Sequence, residues 1–251
     1  MDTEILRPTS CTDFERAAET IRSGALVAFP TETVYGLGAN GLDAAACARI
    51  YAAKGRPSDN PLILHIADLA MAHEVASDVP PTAAHLLTAF APGPLTVILP
   101  KAAHIPDIVT GGLSTVGVRC PDHDVARRLI RAAGVPIAAP SANTSGRPSP
   151  TSAAMVYDDM EGRIPLILDG GSCRLGVEST IVDCTEKDTV TILRPGAVTR
   201  EMIAAELPHI EVCMDAALTA ADAAPRAPGM KYTHYAPRMP LTVYVGTGTD
   251  V

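Results

Sequence analysis

Ala25-Leu26-Val27-Ala28-Phe29-Pro30-Thr31-Glu32-Thr33-Val34-Tyr35-Gly36-Leu37-Gly38 is the stretch on which the reading of the fold turns. Residues 25–29 form a short apolar run of the kind a buried strand requires, and Pro30 closes it. A helical segment comes before it. Thr12 and Glu15 have the spacing of a capping box, and the pattern they open stops at Gly24. A turn comes after it, carrying two hydroxyls, a carboxylate and a phenol among small residues. Helix, buried strand and polar loop are the parts of an α/β sheet, which places ligands at the carboxyl ends of its strands.

Working outward, the same alternation recurs. Asp43 can cap a helix through Ala53, which Gly55 and Pro57 end. Asp68 and Thr82 can each start a short helix, Asp122 one ending at Gly134, Thr151 or Ser152 one to about Met160, and Thr199 one to Leu207. Strands are expected over 62–66, 95–99, 115–119, 136–139, 165–168, 179–184 and 189–193. The pattern predicts an α/β class fold, a three-layer domain on a mixed sheet, with hairpin-like neighbours near its end. Composition changes near residue 213. Residues 214–229, rich in Ala, Asp and Pro, read as a linker, and residues 241–245 read as the first strand of something further. The expected division is therefore a domain over 1–212, a linker over 213–240 and the start of a second domain over 241–251.

The chain has 251 residues, 47% hydrophobic and 19% charged, which excludes global disorder. No apolar run has membrane-spanning length and no secretory pattern opens the chain, so a cytosolic protein with no membrane partner is expected. A formal net charge of −8 argues against nucleic-acid binding through bulk charge, and 4% aromatic residues against stacking platforms. Cysteines 11, 47, 120, 173, 184 and 213 contain no C-x-x-C pair and read as reduced, mostly buried side chains.

On such an acidic chain the placed cations stand out. Lys54-Gly55-Arg56-Pro57-Ser58-Asp59-Asn60 puts a point charge and a bidentate fork on one Gly/Pro loop, a pairing suited to phosphate. Lys54 can equally complement the helix dipole, whereas Arg56 lies beyond the helix. Arg119 and Arg194 each end a predicted strand. Pro140-Ser141-Ala142-Asn143-Thr144-Ser145-Gly146-Arg147-Pro148-Ser149-Pro150 is denser in donors than a connection needs, and Glu178-Ser179-Thr180 leads into another strand. His65 follows a strand and, taken alone, reads equally as a packed residue. Together these predict an anion-binding cleft. Walker A, nucleophile-elbow, H-E-x-x-H and triad patterns are missing from the sequence.

In this order the motifs resemble the YrdC-like family of threonylcarbamoyl-AMP synthases, over about Leu26 to Gly196. Pro228-Gly229-Met230-Lys231-Tyr232 with His234-Tyr235-Ala236-Pro237 is similar to the linker of the long, two-domain version. Thr144 departs from the family pattern, where many members have Pro. The resemblance implies a twisted YrdC-like sheet and synthesis of threonylcarbamoyl-AMP from L-threonine, bicarbonate and ATP with release of pyrophosphate. The product would pass to a tRNA threonylcarbamoyl transferase acting on adenosine 37, with no strong direct tRNA binding by this chain. It implies threonine-side positions at Thr33, His65, Arg119, Ala139 and Ser179. The implied ATP-side positions are Lys54, Arg56, Asn60, Thr115, Ser141, Asn143, Ser149, Arg194 and, from the linker, Tyr235. Lys54 and Arg56 would neutralise phosphate charge as catalytic residues, with Mg arriving on ATP and no metal held by the protein. Residues 230–237 would fold over the cleft. The alternatives are an RNA-binding module or a structural partner of the tRNA-modification machinery. The related carbamoyltransferase of hydrogenase maturation has C-x-x-C motifs that this chain lacks.

Overall fold

The computed structural model describes residues 2–215 and Thr242. In chain order the elements are β1 (Glu4–Leu6), α1 (Cys11–Arg22), β2 (Val27–Phe29), β3 (Gly36–Asn40), α2 (Ala44–Lys54), β4 (Ile63–His65), α3 (Ala72–Val75), α4 (Pro81–Phe90), β5 (Leu95–Pro100), α5 (Asp107–Thr110), β6 (Thr115–Arg119), α6 (Asp124–Ala133), β7 (Ile137–Ala139), α7 (Ala153–Met160), β8 (Leu166–Leu168), β9 (Thr180–Asp183), β10 (Thr189–Arg194), α8 (Arg200–Glu206) and β11 (Glu211–Met214). The strands join in one mixed eleven-stranded sheet of order β1-β8-β2-β3-β7-β4-β6-β5-β9-β10-β11. Of the expected linker over 213–240, Cys213 and Met214 belong to β11; residues 216–240, Tyr235 among them, and the strand over 241–245 apart from Thr242 lie outside the described residues.

Alternation along the strands divides the side chains between two faces. Leu64, Val97, Val116, Val118, Val182 and Ile192 point into the main core, which helices α2, α4, α7 and α8 close with Ile50, Leu86, Val156 and Ile203. The opposite face is divided. Phe14, Ala17 and Ile21 of α1 and Leu129 and Ile130 of α6 cover Val27, Phe29, Ile137 and Leu166. Beyond β7 the buried apolar residues of that face, among the described residues, form the small cluster Ile63, Ile98, Ile181 and Leu193. The same half-face carries the polar residues of the site.

Several boundaries depart from the sequence reading. The capping box of α1 is Ser10 with Asp13, not Thr12 with Glu15. The Asp13 carboxylate takes the Thr9 and Ser10 N–H groups at 2.8 Å each, so the helix starts earlier and leaves Cys11 exposed. Asp68 caps only a turn, receiving the Ala70 and Met71 N–H groups, and α3 begins later. β1, α5 and β11 were not expected. Nor was β3, which lies inside the segment read as a polar turn. Its glycines disguise a strand that needs them: a Cβ at Gly38 would sit 2.8 Å from both Ile137 Cγ2 and Phe29 Cε1.

Candidate active site

β4 and β6 run parallel with His65 beside Arg119, and β7 runs antiparallel with Ala139 beside Ile63. Since Leu64, Val116 and Val118 take the core face, Ile63, His65, Gly117 and Arg119 take the other. A cleft of about 270 Å³ opens there, lined by Thr31, Thr33, Val34, Gly36, Arg56, Ile63, His65, Arg119, Ala139, Pro140, Ser141, Glu178, Ser179, Arg194 and Pro195.

Arg119 occupies one end and is almost fully buried. Its Nη2 lies 2.8 Å from Glu32 Oε2 and donates to Thr33 Oγ1 at 2.9 Å. Its Nε donates to the Gly93 carbonyl at 3.4 Å. Thr31 Oγ1 donates its one proton to the Val34 carbonyl at 2.6 Å. In the Thr31–Thr33 hydroxyl pair at 2.8 Å the proton therefore comes from Thr33. Having accepted from Arg119 and donated to Thr31, Thr33 keeps only a lone pair to offer a ligand. His65 packs edge-on against Phe29, ring centroids 5.7 Å apart, with Nδ1 3.2 Å from the Ile63 carbonyl. Burial, reinforced by the Arg119 charge, pushes its imidazole down to about 3, so it is neutral near pH 7.

The other end is cationic. Arg194 donates through Nε to the Ser179 carbonyl at 3.0 Å and through Nη2 to Ser179 Oγ at 3.1 Å. A regular strand would return Arg194 to the core face after Leu193. The register shift between Ile192 and Arg194 turns it into the cleft instead. Gly196 lets the following turn approach, since a Cβ there would meet the Thr180 nitrogen at 2.5 Å. Burial pulls the Arg194 guanidinium down to about 10 against the opposing charge of Glu178, and it remains a cation at neutral pH. Arg56 folds back on its loop, with Nη2 3.0 Å from the Pro61 carbonyl. Ser179 Oγ also pairs with Thr96 Oγ1 at 2.7 Å, and Ser149 Oγ donates to Glu178 Oε1 at 2.5 Å.

The structure thus gathers Thr33, His65, Arg119, Ala139 and Ser179 around one cleft, together with Arg56, Ser141 and Arg194. Lys54, Asn60, Thr115, Asn143 and Ser149 are not among its lining residues. Lys54 is the clearest departure from the sequence reading. Its buried ammonium donates to the Ser141 carbonyl at 2.5 Å and to the Asn143 carbonyl, tying the 140–150 loop to the end of α2. Burial, followed by the charge of Arg56, drives its pKa well below the ordinary lysine range. Asn143 works within the same loop, donating to the Thr144 and Arg147 carbonyls at 2.9 and 2.8 Å. Thr115 starts β6, four residues before Arg119. Tyr35, read as a donor of the site, is fully buried, and its hydroxyl donates to the Gly171 carbonyl at 2.7 Å. Sequence reasoning missed Ile63, Val34 and the Gly93 carbonyl, which carry no side-chain signal of chemistry. Glu178 was legible only as a carboxylate beside Ser179.

Residues 19–196 match a family profile described as "Telomere recombination", the Sua5, YciO and YrdC group, and residues 198–251 match one described as "Threonylcarbamoyl-AMP synthase, C-terminal domain". The threonylcarbamoyl-AMP synthase of Pyrococcus abyssi is 52% identical over 92% of this chain and 67% of its own length. That of Bacillus subtilis is 51% identical over 92% of this chain and 66% of its own length. The chain thus spans about two thirds of the length of these curated relatives. The crystal structure of P. abyssi Sua5 complexed with L-threonine superposes with a TM-score of 0.88 at 49% identity, over 94% of this chain and 69% of that one.

Proposed function

The chain belongs to the Sua5–YciO–YrdC family, whose members include the threonylcarbamoyl-AMP synthases, and from that premise we propose that it makes threonylcarbamoyl-AMP from L-threonine, bicarbonate and ATP. One observation carries the reading: a single cleft joins an end at Arg119 and Thr33 to a cationic end at Arg56 and Arg194, with Ser179, which Arg194 contacts, lining the same cleft. A relative has been crystallised with L-threonine, which supports an amino acid as one of the substrates.

In this reading Arg119 holds the α-carboxylate. The threonine amine attacks bicarbonate, giving a carbamate and water. A carbamate oxygen then attacks the α-phosphorus of ATP, and pyrophosphate leaves. No nucleophile from the protein is required. The chain contributes position and charge: Arg56 and Arg194 neutralise the triphosphate, and Ser141 orients it. Lys54 acts one layer back, holding the loop that carries Ser141. Magnesium on ATP takes most of its oxygens from phosphate and water. Glu178, a carboxylate lining the cleft, fits as a further ligand, and the ion would supply charge neutralisation at the leaving pyrophosphate. The product would be handed to a transferase that modifies adenosine 37 of tRNA, with a cytoplasmic setting for the reaction.

Pyrophosphate release is the direct test. It should require L-threonine, bicarbonate and ATP together. Release at the same rate without threonine would contradict the proposal.

A further inference from the structure

We infer that Glu32 is a positioning residue for the amino-acid end of the cleft, acting through Arg119. The inference rests on the reading of that end as the threonine site. Glu32 is not among the residues lining the cleft, and its neighbours Thr31 and Thr33 are. In the bend after Pro30 the two threonines line the cleft and the carboxylate is turned into the interior. There it is 1% exposed.

Its surroundings make it a poor choice for stability alone. Neither carboxylate oxygen has a hydrogen-bond partner among the described residues. Its one ion pair there is with Arg119, at 2.8 Å. A carboxylate taken out of water is compensated only when its counter-charge and its hydrogen bonds are both good. An apolar residue of similar volume would avoid that penalty, so the placement calls for another account.

Counting the donors of Arg119 provides one. A guanidinium has five N–H groups in a fixed plane. Nη2 faces Glu32 and Thr33, and Nε faces the Gly93 carbonyl. These contacts fix the plane from behind. The two N–H groups of Nη1 have no partner among the described residues, and they form an edge ready for a carboxylate. Glu32 is the only charged member of this backing. It also offsets the Arg119 charge, so this end of the cleft suits a zwitterionic amino acid, while the Arg56 and Arg194 end suits phosphate.

The test is calorimetric binding of L-threonine to the full chain, alongside steady-state kinetics. Glu32→Gln keeps the shape and removes the charge. We expect threonine affinity to fall at least tenfold and the threonine KM to rise in step, with the ATP KM within about twofold. In an Arg119→Ala background, Glu32→Gln should change threonine affinity by less than twofold, because its effect passes through Arg119. Should Glu32→Gln fail to fold, Glu32→Asp keeps the charge but withdraws it by one methylene, and should weaken threonine about threefold to tenfold with ATP unchanged. Unchanged or tighter threonine binding in a folded Glu32 variant would overturn the inference alone, as would equal losses for threonine and ATP. Absence of threonine binding by the native chain would overturn both this inference and the synthase reading.

Discussion

Arg119 and Arg56 are both cations in one cleft, but their surroundings differ. Arg119 is buried and its fork is backed by Glu32 and Thr33, whereas Arg56 is half-buried on a loop. A charge-assisted hydrogen bond contributes roughly 1.5–3 kcal/mol, so Arg119→Ala should raise the threonine KM about 10–100-fold and leave the ATP KM nearly unchanged. Arg56→Ala should act on the ATP KM or on kcat instead, and steady-state kinetics on both variants decides. His65 carries a prediction about pH. Its folded pKa of about 3 lies below the value of roughly 6.5 that it has unfolded. Below pH 6.5 the unfolded chain takes up a proton that the native state refuses, so this residue lowers stability as pH falls, by about 1.4 kcal/mol per pH unit until pH approaches 3. Between pH 6.5 and 5, His65→Asn should remove roughly 2 kcal/mol of that loss. Urea midpoints at the two pH values measure it. An unchanged slope would place the titration elsewhere.

At the scale of elements, the site depends on what holds the loops. α2 is stopped by Gly55 as expected, at φ 61°, but runs one residue further than read, and its last helical residue, Lys54, reaches across to the 140–150 loop. Lys54→Met would leave the Ser141 and Asn143 carbonyls without their donor, at a cost of about 1–3 kcal/mol for each one left unsatisfied. The variant should therefore lose thermal stability and bind ATP more weakly through a displaced Ser141. A large loss of ATP affinity at constant Tm would instead place the ammonium directly on phosphate. This division was hidden in the sequence because a cation next to Gly and Pro reads the same whether it faces a ligand or a carbonyl. The Thr115–Arg119 strand was legible to the residue, since Val116 and Val118 alternate with polar or small neighbours. β3 was not, because Gly36 and Gly38 carry no pattern and are chosen by the close approach of Phe29 and Ile137. The bulge that turns Arg194 leaves no sequence mark at all.

Over the whole molecule, the α/β class and the mixed sheet could be read from the alternation of helices and strands. The asymmetry that makes the site could not. Whether α1 and α6 cover the whole of the second face or half of it depends on where each strand enters the sheet, and the order β7-β4-β6-β5-β9 is set by long-range pairing. Covering only the half from β1 to β7 leaves the far half-face open, and three arginines gather there on a chain of net charge −8. In the proposed function this opening joins an amino acid, a one-carbon acid and a nucleotide into one product. Incubating the chain with L-threonine, carbon-13-labelled bicarbonate and ATP, then analysing the mixture by mass spectrometry, tests that claim most directly. The expected product is an adenylate that contains both threonine and the labelled carbon, formed together with pyrophosphate. AMP and pyrophosphate without that adduct, or an adduct without the label, would contradict it.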